Sequence, residues 1–199
     1  MVKIKICGLK RLEDIEIVNR YKPDYIGFVF ADSKRKVSHE LASELKDKLD
    51  SNIVSVGVFV DADPEEIIEL FRNGVIDVAQ LHGSEDERYI TGLKDKTNHK
   101  LEIINAIEMS EEVDLGSYEN TQADFLLLDS GKGSGKTFDW RLIRKNLKKE
   151  FFLAGGLDVS NICQAIEEFK PYAVDLSSSL ETDDYKDESK IKEIMEVIR

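Results

Sequence analysis

Cysteine is nearly absent from this chain: Cys7 and Cys163 stand far apart, no C-x-x-C pair occurs, and the three histidines do not cluster. That distribution argues against a disulfide framework and against a zinc site, so reduced thiols are expected. Long apolar runs are missing too, and none approaches the length of a membrane span. The amino terminus reads straight into a strand with no signal-peptide pattern, which predicts a cytoplasmic protein. Positive charge is in short supply: 28 Lys and Arg face 40 Asp and Glu, for a net charge of -12. Such a surface repels polyanions and makes nucleic acid and anionic membranes poor partners. A nucleotide-binding P-loop is also lacking. The segment Ser130 to Thr137 imitates one, but Ser130 occupies the place where G-x-x-x-x-G-K-[ST] needs its first glycine. A loop able to close over a ligand is the better reading of that segment.

What is present is an alternation of two periods. Strand patterns fall at Val2 to Cys7, Tyr25 to Phe30, Ile53 to Val60, Asp77 to Leu81, Leu101 to Ala106, Asp124 to Asp129, Phe151 to Ala154 and Ala173 to Leu176. Helical patterns lie between them, at Leu12 to Tyr21, His39 to Leu49, Pro64 to Asn73, Glu85 to Lys96, Asp139 to Leu147, Val159 to Phe169 and Ser189 to Ile198. Ser38, Asp63 before Pro64, and Asp158 supply helix starts. The connection Ser110 to Thr121 carries the weakest helical signal. Eight strand-helix units predict an α/β fold, a single (β/α)8 TIM barrel over residues 1–199; an open doubly wound sheet is the alternative.

Function in such a barrel sits at the carboxyl ends of the strands. Cys7 ends the first strand, where alternation puts Lys3, Lys5 and Cys7 on one face and Val2, Ile4 and Ile6 on the other. An ammonium beside a thiol favours the reactive thiolate, although Lys5 could instead be taken up by Asp175 or Asp129. A buried cysteine acting as a small hydrophobe is the plainer alternative. Asp129 ends the apolar run Phe125 to Leu128, where a low dielectric raises a carboxyl pKa and holds a proton available; helix capping is its alternative. Gly155 and Gly156 after the seventh strand, with Ser177, Ser178 and Ser179 after the eighth, match the recurrent phosphate site of these barrels. Lys34 to Lys36 and the pair Lys132 and Lys136 put positive spots on the same rim, able to draw a small anion to an acidic protein. Cys163 shares a helical face with Val159, Ile162 and Ile166 and is expected in the core. His82 is a candidate base or ligand contact, and Asp175 has equal claims to pairing and to reacting.

In these positions the chain resembles the phosphoribosylanthranilate isomerases of tryptophan biosynthesis over its whole length. The marks are K-I-C-G at Lys5 to Gly8, G-F-V-F at Gly27 to Phe30 followed by Ser33, Arg35 and Val37, and G-V-F-V at Gly57 to Val60. They continue with Q-L-H-G at Gln80 to Gly83, L-L-D-S at Leu127 to Ser130, G-S-G-K-T-F-D-W at Gly133 to Trp140, A-G-G-L at Ala154 to Leu157, and V-D-L-S-S at Val174 to Ser178 leading to Glu181. The chain departs from the family pattern at Lys132 to Gly135, where G-G-T-G is usual, and at Ser179, which replaces a glycine near the expected phosphate.

The resemblance implies a TIM barrel of the ribulose-phosphate-binding type and an Amadori rearrangement of N-(5-phosphoribosyl)anthranilate, without metal or organic cofactor. It implies Asp129 as general acid, Cys7 as general base, Arg35 on the anthranilate carboxylate, and His82, Gly155, Gly156, Ser178 and Ser179 as substrate contacts. The expected partner is that phosphosugar-anthranilate alone, on a monomer or homodimer. Two alternatives remain beside it. A histidine-pathway isomerase of the same barrel class is expected to use two aspartates in place of Cys7 and Asp129, and a phosphosugar-binding barrel without catalysis needs neither.

Overall fold

The structure is a computed structural model that describes residues 1–130, 140–143 and 147–199. Its elements run β1 (Lys3–Cys7), α1 (Leu12–Tyr21), β2 (Tyr25–Val29), α2 (His39–Lys46), β3 (Val54–Phe59), α3 (Pro64–Arg72), β4 (Val78–Leu81), α4 (Glu87–Lys96), β5 (Glu102–Glu108), β6 (Phe125–Asp129), β7 (Phe151–Leu153), α5 (Ile162–Phe169), β8 (Ala173–Leu176), β9 (Glu181–Thr182), β10 (Tyr185–Lys186) and α6 (Glu188–Ile198). The first eight strands pair in parallel in chain order, and β8 closes on β1 with Lys5 opposite Asp175. All eight expected strands form, and the closed barrel displaces the open-sheet alternative.

Alternation along the strands sorts side chains into two cores. Residues such as Ile4, Ile6, Ile26, Phe28, Leu126 and Leu128 point outward and pack with the helices. Tyr25, Val56, Val78, Ile104, Leu127 and Phe152 fill the barrel interior. The interior is not wholly apolar, because Lys5 and Gln80 are buried within it. The helix starts behave as their sequences suggest: Ser38 accepts from the Leu41 amide at 3.2 Å, and Asp63 accepts from Glu65 at 2.9 Å ahead of Pro64 at the first helical position.

An aspartate staple recurs at the amino-terminal end of the barrel. Asp24, Asp77 and Asp124 stand just before β2, β4 and β6, and each accepts the amide of the second residue of the preceding strand: Ile4 at 3.0 Å, Ser55 at 2.8 Å and Ile103 at 2.7 Å. A cation backs each carboxylate, namely Arg199 for Asp24, Lys46 for Asp77 and Lys94 for Asp124. The staple satisfies strand-edge donors that a parallel ladder leaves open at its start.

The structure differs from the sequence reading at four places, and three of the differences have local causes. The connection Ser110 to Thr121 holds only a 3-10 turn, Leu115–Tyr118, started by Asp114, which accepts from Gly116. Helix α5 begins at Ile162 because Asp158 folds back onto Ser160, making a turn of the residues expected as the first helical turn. Its buried face is therefore Ile162 and Ala165, and Cys163 is exposed, not in the core. Third, β9 and β10 form a hairpin absent from the expected elements, turning on Asp183 and Asp184 with φ of 51° and 64°. Aspartate tolerates this left-handed conformation, so the Asp-Asp pair was the available signal. Of the helix expected at Asp139 to Leu147, the described residues show a 3-10 turn at Trp140–Leu142. Lys132, Lys136 and most of the Ser130 to Thr137 segment lie outside the described residues.

Candidate active site

The carboxyl ends of the strands surround a cavity of about 810 Å³. Cys7 comes from the end of β1, Asp129 from the end of β6, His82 from the residue after β4, and Arg35 from the loop after β2. Gly155 and Gly156 follow β7, and Ser178 and Ser179 stand in a 3-10 turn after β8. All eight candidates from the sequence line this one cavity. A second cavity, about 730 Å³, opens at the opposite end beside Lys3, Phe151 and Tyr172 and contains none of them.

Space for the Cys7 thiol and the Asp129 carboxyl is made by missing side chains. A Cβ on Gly27 of β2 would stand 2.6 Å from the Cys7 sulfur. One on Gly155, whose φ is +82°, would stand 2.9 Å from Asp129 Oδ1 and 2.7 Å from the Ser130 amide. Any larger residue at either position would have to displace the thiol or the carboxyl.

A buried polar chain runs beneath the cavity. The Lys5 ammonium, fully buried, donates to Asp175 at 2.7 Å and to Gln80 Oε1 at 2.9 Å. An ammonium only donates, so it fixes the Gln80 amide with its oxygen toward Lys5 and its nitrogen toward His82. Gln80 Nε2 lies 3.3 Å from His82 Nδ1, which makes Nδ1 the acceptor and puts the ring proton on Nε2. That nitrogen stands 3.4 Å from Asp129 Oδ2. The orientation of the Gln80 amide and of the His82 ring thus follows from a lysine on β1, and the ring nitrogen comes to lie beside a carboxylate on β6.

Electrostatics correct two expectations. Burial does push the Asp129 carboxyl upward, but His82 and the Ser130 amide, at 2.7 Å, outweigh it and hold the group below the ordinary carboxylate range. Asp129 is therefore ionised in the free site, not protonated as its apolar strand suggested. At Cys7, burial outweighs the pull of Lys5, and Asp175 adds to the rise, so the thiol lies above its ordinary value. Burial likewise raises Asp175. Lys5 stays charged, since Asp175 and Cys7 more than offset the cost of its burial.

The positive rim is largely spoken for. Lys34 pairs with Asp184, and Arg35 is gripped by Glu181 through Nε at 2.7 Å and Nη2 at 2.8 Å. Lys186, 4% exposed, reaches the same carboxylate at 2.9 Å and the Ser177 carbonyl at 3.1 Å. Gln80, Glu181 and Lys186 were given no role from sequence. Lys186 had no signal at all, because its burial depends on the unforeseen hairpin. Among the described residues no group of three or more His, Cys, Asp or Glu is placed to hold a metal ion.

A thiol and a carboxyl facing one mouth, beside a glycine-rich turn and a serine-rich turn, define a (β/α)8-barrel enzyme of the acid-base type. Residues 4–197 match the family model described as N-(5'-phosphoribosyl)anthranilate (PRA) isomerase, and the chain belongs to that family. The enzyme of that name from Endomicrobium trichonymphae is 46% identical, with 100% of this chain and 99% of the relative covered. Among solved structures, the phosphoribosyl anthranilate isomerase of Thermotoga maritima matches with a TM-score of 0.88 at 34% identity, over 99% of this chain and 98% of that one. A further phosphoribosyl anthranilate isomerase, in complex with reduced 1-(o-carboxyphenylamino)-1-deoxyribulose 5-phosphate, matches with a TM-score of 0.86 at 33% identity, over 98% and 97%.

Proposed function

We propose that this protein isomerises N-(5'-phosphoribosyl)anthranilate to 1-(2-carboxyphenylamino)-1-deoxyribulose 5-phosphate in tryptophan biosynthesis, by acid-base catalysis from its own side chains. The observation that carries this reading is the convergence of Cys7 and Asp129 on one cavity in a chain of this family. Protonated Asp129 donates to the ribose ring oxygen as the C1–O bond breaks, and the anilino nitrogen supplies the electrons for the iminium. The Cys7 thiolate then removes the proton from C2, whose electrons form the enolamine. Loss of the hydroxyl proton and protonation at C1 give the ketone, so the reaction is redox-neutral overall.

The free site has the two groups in the opposite state, thiol and carboxylate. Both states carry one proton between them, so substrate need only shift its position. A bound substrate that brings anions and excludes water raises the pKa of Cys7 and Asp129 alike, so the proton moves only through a difference in what each group contacts in the complex. Gly155, Gly156, Ser178 and Ser179 receive the phosphate, with Ser179 the residue that departs from the family's glycine. Arg35 receives the anthranilate carboxylate, and His82 holds Asp129 at the substrate's edge. The protein works as one domain over residues 1–199, in the cytoplasm, as a monomer or homodimer; among the described residues no helix is long and apolar enough to cross a membrane.

Mixing the protein with phosphoribosylanthranilate and following anthranilate-type fluorescence tests the reading. Rapid loss of the signal is expected. Retention of the signal, with turnover of the histidine-pathway aminoaldose instead, would assign the site to the other isomerase; turnover of neither would leave a binding protein.

A further inference from the structure

Arg35 is itself held from behind. Its guanidinium has five N–H donors in a plane, and the edge formed by Nε and Nη2 is closed by the two oxygens of Glu181. The Nη1 and Nη2 edge remains, and among the described residues no other acceptor engages it. Arg35 lines the cavity whereas Glu181 does not. The aliphatic stem lies across Gly8, where a Cβ would stand 2.4 Å from Arg35 Cδ, so the side chain has little freedom on that side.

Glu181 is built into its place. It begins β9, its side chain is 6% exposed, and Lys186 from β10 holds Oε1 at 2.9 Å. Burial raises its carboxyl, but Arg35 and Lys186 bring it down to about 2, so it is ionised throughout the neutral range. Tyr185, on the same hairpin, lies under Lys10 at 4.7 Å and Arg11 at 4.1 Å, and Asp184 takes Lys34. The hairpin therefore ties the loops after β1 and β2 to the end of β8.

We propose that Glu181 is a positioning residue for substrate recognition: it closes one edge of Arg35 so that the guanidinium meets the anthranilate carboxylate with its other edge. This rests on the reading of Arg35 given above. A guanidinium fixed in this way binds a carboxylate in two bonds without losing rotamer freedom at the moment of binding.

The test compares two ligands: reduced 1-(o-carboxyphenylamino)-1-deoxyribulose 5-phosphate, and the same compound without the ring carboxylate. Glu181→Gln breaks the fork, and is expected to weaken the carboxylated ligand about ten-fold while leaving the other within about two-fold. With phosphoribosylanthranilate, KM should rise and kcat should hold. Glu181→Asp, which keeps a counter-charge for buried Lys186 but withdraws it by one methylene, should show the same selectivity and covers a failure of the first variant to fold. Arg35→Ala separates the two claims. If it selectively weakens the carboxylated ligand but the Glu181 variants do not, or weaken both ligands alike, the positioning role is overturned and the reading of Arg35 stands. If Arg35→Ala affects both ligands equally, the carboxylate is held elsewhere and both claims fall.

Discussion

Asp129 illustrates how a residue's neighbours overrule its place in the sequence. An apolar strand end argues for a protonated carboxyl, yet His82 and one backbone amide keep it ionised. The imidazole acts through the N–H that Gln80 directs at Asp129, and Gln80 is oriented by Lys5. Removing the imidazole should leave burial as the larger influence. We expect the Asp129 carboxyl, followed by carbon NMR and assigned by its loss in Asp129→Asn, to titrate below the ordinary value of ~3.9. In His82→Asn the midpoint should move upward; an unchanged midpoint would mean that His82 does not hold the group. Cys7 and its neighbours tell a similar story. Sequence put Lys5 next to the thiol and left open whether Asp175 would claim it. The structure has Asp175 in contact with Lys5, and burial, with Asp175 adding to it, raises the thiol against the pull of Lys5.

At the scale of elements, the barrel depends on staples as well as on burial. Asp77 accepts from the Ser55 amide and hydroxyl, both at 2.8 Å, and from Lys46 at 2.6 Å. Asp77→Ala leaves the Ser55 amide short of its acceptor and Lys46 short of its counter-charge and should cost ~2 kcal/mol in urea unfolding; a change below ~0.5 kcal/mol would show the staple to be ornamental. The strands were legible because each is a short apolar or alternating run bounded by turn residues, and closure followed from their number. Seven site residues became predictable once strand ends were known, and Arg35 from its loop. The α5 boundary was not legible, since Asp158 serves equally as a helix cap or a turn residue and only its contact with Ser160 decides. The hairpin of β9 and β10 was missed because two-residue strands carry no period. With it went the meaning of Glu181 and Lys186, whose roles arise from contacts across the molecule.

For the whole molecule, an excess of acidic groups is reconciled with an anionic substrate by where the cations are kept. Lys5, Arg35 and Lys186 are each buried or held against a carboxylate around the mouth. Carboxyls held below their ordinary range set the acid limit of stability. Glu181 at about 2, and Asp77 and Asp129 below their usual range, all have folded values depressed relative to the unfolded chain. Their stabilisation is complete above the unfolded values near ~4 and is lost as pH falls toward 2. Thermal unfolding should therefore shift steeply downward between about pH 4 and 2. In Glu181→Gln part of that slope should disappear; an identical slope would mean that the pair contributes nothing to the acid transition.

The central claim is that Cys7 and Asp129 divide one proton-transfer sequence between them across the barrel mouth. The most direct measurement is single-turnover loss of phosphoribosylanthranilate fluorescence with Cys7→Ala and Asp129→Asn, alongside binding of the reduced product analogue. Each variant should bind the analogue and lose about 10²-fold or more in rate. A variant that turns over at close to the unaltered rate would contradict the account.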